Sequence, residues 1–225
     1  MDIISKIKDL FKKKLTFNDV RDNDYIYLYA GDIPNREEYN REGIVGLSIT
    51  HADHRTIRHD ITKAFLLDDN TVDIFQAEDV FEHIEYEKLV QVVNEIYRVL
   101  KPGGIFRLSV PDYRCDILYE RTLKDCNGKL IFDKEGGGDF RDGKVVDGGH
   151  VWFPTYETVK GLIDKSLFSM YKFYHYYDED GKSITENIDY SIGYVQRTPD
   201  HDERVRNPYR GMSIVCDCVK ESKDK

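Results

Sequence analysis

The chain has 225 residues, of which 40% are hydrophobic and 33% charged, so it can bury one substantial core and is not a disordered sequence. Its net charge of −9 and its lack of a basic, aromatic-rich stretch make nucleic acid a poor partner. No apolar run approaches the ~20 residues that a membrane span needs, and no signal-peptide pattern opens the chain, so we expect a soluble protein.

The first 24 residues predict an amphipathic helix followed by a linker. Apolar residues between Ile3 and Leu15 share one helical face, and Lys12–Lys14 follow at its end. A helix packed on the domain edge explains this pattern, and contact of residues 1–15 with a membrane surface or a partner is the alternative. Residues 16–24 are polar and predict the linker.

Strands and helices alternate in the next part of the chain. The strand candidates are Tyr25–Ala30, Gly43–Ile49, Thr56–His59, Val72–Ala77 and Ile105–Val110. Apolar residues recur at three- and four-residue steps from Leu89 to Leu100, which predicts a helix that ends before Pro102-Gly103-Gly104. This alternation predicts an α/β fold with a mainly parallel sheet and helices on both faces.

The second half of the chain is less regular. Residues 124–149 are rich in glycine and predict an insertion, which we interpret as a lid because it leads directly to His150. Thr155 can cap a further helix. Met170–Tyr177 and Ser213–Val219 predict an antiparallel pair at the sheet edge. With no internal repeat and no second core, residues 25–225 are predicted to form one domain.

The cysteines lack the spacing of a metal or redox site. Cys115, Cys126, Cys216 and Cys218 form no C-x-x-C pair. Buried free thiols in a reducing compartment are the simplest interpretation, which places the protein in the cytoplasm.

Polar residues follow four of the predicted strands. They lie in Ala30–Asn35, Ser48–His51, Ala77–His83 and Val110–Tyr113. Ligands of open parallel sheets bind beyond the carboxyl ends of the strands, so these segments are the candidate site.

Several motifs recur in the order of a known family. They are LYAGDIPN (28–35), GIVGLSI (43–49), HDITKAFLLDDNTVD (59–73), AEDVFEHI (77–84), EIYRVLKPGGIFRLSVPD (95–112), GGHVWFPTYETVKGLIDKSLF (148–168) and QRTPDHDERVRN (196–207). Together they resemble the class I S-adenosylmethionine-dependent methyltransferases, especially small ones associated with glycans and polysaccharides. The resemblance implies a Rossmann-like fold with a seven-stranded, mostly parallel sheet and an antiparallel C-terminal hairpin strand.

The resemblance implies S-adenosylmethionine as the cofactor. The implied binding residues are Ala30, Gly31, Asp32, Ser48, Ile49, Asp60, Ile61, Glu78, Asp79, Val80 and His83. Ile33 and Ser48 depart from the family, which has a glycine and a ribose-binding acid at these positions. The Ser48 hydroxyl, or a neighbour such as His51 or Asp53, is then expected to contact the ribose.

Methyl transfer to a hydroxyl requires a group that accepts its proton. We predict His150 as this group, Asp112 as an orienting partner and His83 as the third choice. The aromatic residues that suit the apolar face of a sugar are Tyr113, Trp152, Phe153 and Tyr156. The implied function is O-methylation of a sugar hydroxyl on a glycan or nucleotide sugar, and the alternative is a catalytically degenerate module that binds carbohydrate or a partner.

Two further patterns are weaker. His51, His54 and His59 lie near Asp53, but their spacing fits no closed zinc site, so we predict no metal. The Y-x-x-x-K pair of Tyr156 and Lys160 is typical of short-chain dehydrogenases, yet the glycine-rich dinucleotide turn is absent. The sequence leaves the oligomeric state open.

Overall fold

Twelve strands and four α-helices make up the part of the chain that the computed structural model describes, residues 13–222. The helices are α1 Phe17–Val20, α2 Tyr86–Val99, α3 Asp116–Arg121 and α4 Tyr156–Asp164. The strands are β1 Tyr27–Ala30, β2 Ile44–Ser48, β3 Thr56–Arg58, β4 Val72–Glu78, β5 Leu100–Pro111, β6 Thr122–Lys124, β7 Leu130–Asp133, β8 Asp139–Arg141, β9 Lys144–Val146, β10 Met170–Tyr177, β11 Ser183–Thr185 and β12 Ser213–Val219.

Eight of these strands form one sheet in the order β11-β10-β12-β5-β4-β1-β2-β3. Strands β1 to β5 pair in parallel, whereas β12 is antiparallel to both β5 and β10. The predicted α/β class and the antiparallel C-terminal strands are therefore confirmed. The sheet has one strand more than expected, because β11 adds three residues at the edge.

The N-terminal segment differs in part from expectation. The helix predicted for residues 1–15 lies mostly outside the described residues. Residues 16–24, predicted as a linker, contain α1, which Thr16 begins with a capping box to Asp19. Within residues 13–222, no helix is long and apolar enough to cross a membrane.

Both long helices pack on the same face of the sheet. Their apolar residues share a core with β1, β4 and β5, for example Val93 with Phe75 and Leu28. The other face is covered by residues 188–197 and by Tyr39, and within residues 13–222 no α-helix contributes to its apolar clusters, which differs from the expectation of helices on both faces. Residues 31–43 and 49–55, which connect the first three strands, are too short or too turn-rich to form crossover helices.

A buried ion pair fixes residues 188–197 to the sheet. Arg107 on β5 binds both carboxylate oxygens of Asp217 on β12, at 2.7 and 2.6 Å. Its remaining Nη1 donates to the carbonyl oxygens of Asp189 and Gly193, at 2.8 and 2.7 Å. Because Arg107 is fully buried, these four acceptors replace the water that the guanidinium loses on folding.

The glycine-rich insertion is ordered rather than irregular. It forms the hairpins β6–β7 and β8–β9. Gly138 lies at φ +67° with backbone atoms of Val146 and Gly149 where a Cβ would stand, so the second hairpin requires glycine there.

The cysteines are free thiols, as predicted. Cys115, Cys216 and Cys218 are buried, but Cys126 is exposed, which corrects the expectation that all of them are buried.

Replacing Arg107 by Ala should lower the free energy of unfolding by about 3–5 kcal/mol, because the Asp217 carboxylate would stay buried without its partner. Urea unfolding measures this change. The double variant Arg107→Met/Asp217→Leu should recover much of the loss, and Lys160→Ala, which breaks an exposed pair with Asp164, should change stability little. Equal losses for Arg107→Ala and Lys160→Ala would contradict the assignment.

Candidate active site at the carboxyl edge of the sheet

The strand ends of β1, β2, β4 and β5 meet at one edge of the sheet, because these strands are parallel. The four polar segments predicted from the sequence are therefore neighbours in space. Gly31, Ser48, Asp79 and Asp112 mark the four ends.

The crevice between β1 and β4 leaves room for a ligand at Gly31. Its φ of +95° is left-handed, and a Cβ at this position would stand 3.4 Å from Val80 Cγ2. Asp79, also at positive φ, has one carboxylate oxygen, Oδ1, that is buried without a hydrogen-bond partner in residues 13–222. Such an acceptor suits the ammonium group of a methionine moiety, so this end of the site fits S-adenosylmethionine.

Asp79 is held in place by a basic residue from the covering segment. Arg197 binds Asp79 Oδ2 through Nε at 2.9 Å and Nη2 at 2.6 Å. No local sequence pattern points to Arg197, because it is 118 residues from Asp79 in the chain and only the fold brings the two together.

The ribose side of the site departs from the family in structure as well as in sequence. The Ser48 hydroxyl accepts from the Thr50 N–H at 3.2 Å and lies 3.3 Å from His51 Nδ1. The Gly31 N–H donates to the Leu47 carbonyl at 2.8 Å, and the connection from β1 to β2 contains the 3₁₀ turn Glu37–Tyr39. A methyl donor bound here would therefore depend on the other residues at the carboxyl edge of the sheet.

The remaining predicted cofactor residues divide into buried and accessible ones. Ala30 and Ile61 are buried, so they contribute backbone and shape, whereas Ile49 is 70% exposed. Asp60 Oδ1 accepts from the Thr62 N–H and hydroxyl, which fixes the turn after β3. Asp32 is exposed and lies 3.6 Å from His51 Nδ1.

Glu78 points to the sheet face that residues 188–197 cover. Its carboxylate accepts from the hydroxyls of Tyr29 and Tyr39 and from the Gln196 N–H. Burial, and then the charge of Asp79, raise the pKa of Glu78 to about 7. The Glu78 side chain therefore stabilises the fold instead of contacting S-adenosylmethionine as predicted. Only the backbone of Glu78 lies at the edge of the sheet.

Next to this crevice, the segment that begins at His150 packs on the 3₁₀ turn Phe81–His83. The Val151 N–H donates to the Glu82 carbonyl and the Trp152 Nε1–H to the Phe81 carbonyl, both at 2.8 Å. The His83 and His150 rings lie edge to face with centroids 4.7 Å apart. The structure thus brings together two of the three predicted catalytic residues.

His150 is 3% exposed, and its ring is held by Tyr113. The Tyr113 hydroxyl contacts His150 Nδ1 and donates to Asp133 Oδ2 at 2.5 Å. Burial opposes ionisation of Asp133, but bonds from Arg121 and Tyr113 keep its pKa below the ordinary value. Because the ionised Asp133 takes the hydroxyl proton, His150 Nδ1 must be the donor to Tyr113, and the lone pair lies on Nε2.

The electrostatics keep His150 uncharged. Burial, and then the charge of His83, lower the pKa of His150 to about 3.

Asp133 and Arg121 come from the insertion and from α3, and no spacing in the sequence pointed to them. Glu82, which lies beside His83 in the FEH motif, could have been noticed because it precedes a candidate catalytic residue.

Asp112 does not line the cleft, which corrects the prediction that it orients the substrate. Its carboxylate is fully buried and accepts from the N–H groups of Arg114 at 3.0 Å and Tyr177 at 2.8 Å. Burial raises its pKa to about 6 against these bonds. The residue instead ties the end of β5 to β10.

Of the four predicted substrate aromatics, Trp152 and Phe153 line a groove. The groove has a volume of about 740 Å³, and its other walls come from β7, β9 and Val151, with Lys129 and Lys144 on its rim. Tyr113 is instead buried against His150, and Tyr156 stacks on Tyr176 with centroids 4.2 Å apart. The burial of Tyr113 corrects its prediction, whereas Tyr156 is half-buried outside the groove and its predicted contact with a sugar stays a prediction.

Comparison with known proteins agrees with this architecture. Residues 35–108, about a third of the chain, match the model of the family described as Methyltransferase domain. No curated protein matches the sequence significantly.

Solved structures share the fold at low sequence identity. An S-adenosylmethionine-dependent methyltransferase from Archaeoglobus fulgidus is 13% identical with a TM-score of 0.51, over 91% of this chain and 90% of that one. A possible histamine N-methyltransferase from Thermotoga maritima is 14% identical with the same TM-score, over 97% and 87%. A methyltransferase from Methanosarcina mazei is 12% identical, again at 0.51, over 94% and 100%.

The fold is that of class I methyltransferases, with a mostly parallel sheet and antiparallel C-terminal strands. The match of residues 35–108 to the methyltransferase domain supports S-adenosylmethionine as the cofactor and methyl transfer as the activity.

Gly31→Ala should weaken S-adenosylmethionine binding at least tenfold, because the added methyl group fills the space beside Val80. Isothermal titration calorimetry measures the dissociation constant, which we expect in the micromolar range for the unchanged protein. Gly103→Ala is the matched control: Gly103 has a similar φ of +80° but nothing within 4 Å of an added Cβ, and it lies near the beginning of β5, at the opposite end of this strand from the site. Equal affinities for both variants would contradict the placement of the donor.

Glu78→Gln should flatten the pH dependence of stability. Below pH 4.5 Glu78 is protonated in both states, but between pH 4.5 and about 7 only the folded state keeps the proton. Stability therefore falls as pH rises through this window, by about 2–3 kcal/mol in the unchanged protein. Urea unfolding at pH 5 and pH 7.5 compares the two proteins, and parallel profiles would show that Glu78 has no such shift.

Proposed function

We propose that this protein is an S-adenosylmethionine-dependent O-methyltransferase that acts on a sugar hydroxyl of a glycan or nucleotide sugar. The observation that carries the proposal is the groove beside the two histidines. Trp152 and Phe153 offer it apolar surfaces, and Lys129 and Lys144 add positive charge to an otherwise acidic protein. Aromatic rings suit the apolar faces of sugars, and the lysines suit a phosphate or carboxylate attached to one.

The donor would be held at the β1/β4 crevice. Gly31 leaves room for the backbone to approach it, Asp79 Oδ1 accepts from its ammonium group, and Asp60 and Ile61 border its adenine. When bound, S-adenosylmethionine supplies an activated methyl group on its sulfonium.

The acceptor hydroxyl would lie against His83 and His150. The His150 ring cannot rotate freely, since Tyr113 and Glu82 flank its two nitrogens. Its Nε2 lone pair can therefore accept a hydrogen bond from the hydroxyl at a fixed position. Fixing the oxygen in line with the methyl group supports transfer by orientation, and removal of the proton adds to it.

A catalytically degenerate binding module is the second candidate. The bond from the Gly31 N–H to Leu47 and the engaged Ser48 hydroxyl favour it, because both use groups that a donor would otherwise bind. Calorimetry distinguishes the two candidates: binding of a glycan together with no heat from S-adenosylmethionine would establish the module. The free thiols at all four cysteines fit the cytoplasmic location predicted from the sequence.

His150→Ala should lower kcat at least tenfold and leave donor affinity unchanged, because the imidazole orients the acceptor and not the donor. Transfer of labelled methyl groups to nucleotide sugars and glycans measures kcat, with tRNA as the negative acceptor. Asp112→Asn should instead lower thermal stability and keep kcat within about twofold, since its partners are backbone N–H groups. Methylation of tRNA without any glycan product, or full activity of His150→Ala, would contradict the proposal.

A further inference from the structure

The 3₁₀ turn Phe81–His83 holds a carboxylate that the fold leaves unpaired. Glu82 is fully buried, and neither of its carboxylate oxygens has a hydrogen-bond partner within residues 13–222. An isolated buried carboxylate is costly, and proteins retain one where a cation or a proton completes it.

Two imidazoles face this carboxylate. His150 Nε2 lies 3.7 Å from Glu82 Oε1. One ligand atom from each of Glu82, His83 and His150 lies within 4.8 Å of the others. Three ligand atoms around one metal ion stand about 3–3.6 Å apart when their bonds to the ion are ~2.0–2.2 Å long. A small rotation of the exposed His83 side chain would bring the three ligand atoms to this spacing.

Both rings are already oriented for a ligand on Nε2. His83 Nδ1 donates to the Gly148 carbonyl at 2.7 Å, and a carbonyl can only accept. His150 Nδ1 donates to Tyr113, whose own proton goes to Asp133. Each neutral imidazole therefore carries its lone pair on Nε2. Outer hydrogen bonds that fix the tautomer in this way are typical of histidine ligands to metals.

We propose that Glu82, His83 and His150 bind one divalent first-row transition metal ion, with Zn²⁺ as the best match. Two nitrogens and one carboxylate oxygen are the ligand set of open zinc sites, which keep a fourth position for water or substrate. Mg²⁺ is a poor match because it prefers an all-oxygen environment. His83 is the exposed member of the set, so solvent or a substrate can reach the ion from the side of His83.

Arg197 is the nearby cation that could have neutralised Glu82 instead. It is committed to Asp79 Oδ2, with two bonds of 2.9 and 2.6 Å. Its charge still raises the cost of placing a second cation nearby, but it supplies no hydrogen bond to the Glu82 oxygens. The two unpaired Glu82 oxygens can therefore bind a small ion.

This site goes beyond the proposed function and does not rest on it, because metal binding is measured without donor or acceptor. It differs from the expectation from the sequence that the protein has no metal. If both proposals hold, the ion takes the His150 Nε2 lone pair, and the acceptor oxygen binds at the open position of the ion instead of at that nitrogen, close to the donor crevice at Asp79 and Val80.

Titration of the metal-stripped full chain with Co²⁺ tests the site, because Co²⁺ bound by nitrogen and oxygen ligands absorbs visible light. We expect one Co²⁺ per chain at micromolar affinity, displaced by Zn²⁺ and not by Mg²⁺. Zn²⁺ should also raise the melting temperature of the protein. The absence of both signals would overturn the proposal, whatever the outcome of the methyl-transfer assay.

Variants show where the ion binds. Glu82→Gln and His83→Gln should each weaken Co²⁺ binding at least tenfold, and Tyr113→Phe, which removes an orienting bond, should weaken it by about tenfold. Glu85→Gln and His51→Gln are matched controls on exposed residues outside the set and should bind as the unchanged protein does. Loss of binding only in His51→Gln would place the ion elsewhere and overturn the proposal.

The metal-free variants also report on folding. Glu82→Gln should melt at an equal or higher temperature than the unchanged protein without metal, because it removes an unpaired buried carboxylate. It should then gain no stability from Zn²⁺. A Glu82→Gln protein that is still stabilised by Zn²⁺ as strongly as the unchanged chain would contradict the assignment.

Discussion

The buried bond between Arg107 and Asp217 is the interaction on which the rest of the site depends. It joins β5 to β12, and its remaining donor holds the carbonyls of Asp189 and Gly193. The covering segment then follows a fixed path over the sheet, where Gln76 binds the Tyr194 carbonyl. Without this anchor, the face that lacks helices would have no cover for its polar side chains.

The path of that segment sets the charges at the edge of the sheet. Its Gln196 N–H binds Glu78, and its Arg197 guanidinium binds Asp79. Glu78 and Asp79 are adjacent residues at the end of β4. The Glu78 carboxylate is thereby satisfied and Asp79 is satisfied at Oδ2 alone, whereas neither oxygen of Glu82 has a hydrogen-bond partner within residues 13–222. An uneven distribution of partners over neighbouring acids is how a protein gives identical side chains different roles.

The insertion has a comparable effect on the other side of the site. Its first hairpin brings Asp133 to Tyr113, and Tyr113 fixes the tautomer of His150. Arg121 binds Asp133 at 2.6 Å and keeps that carboxylate ionised. A segment that resembles a mobile lid in sequence is therefore part of the rigid support for one imidazole, and it also forms a wall of the groove.

The sequence by itself determined the α/β class, the bounds of most strands and the position of the site at the strand ends, because these follow from local periodicity and turn residues. Met170–Tyr177 and Ser213–Val219 have the predicted bounds, and α2 occupies the segment with the strongest helical period. Only the tertiary structure decided which face lacks helices, that Asp112 is structural, and that Glu82, His83 and His150 meet. These depend on contacts between residues far apart in the chain, such as Arg197 with Asp79, and local pattern carries no information about such pairs.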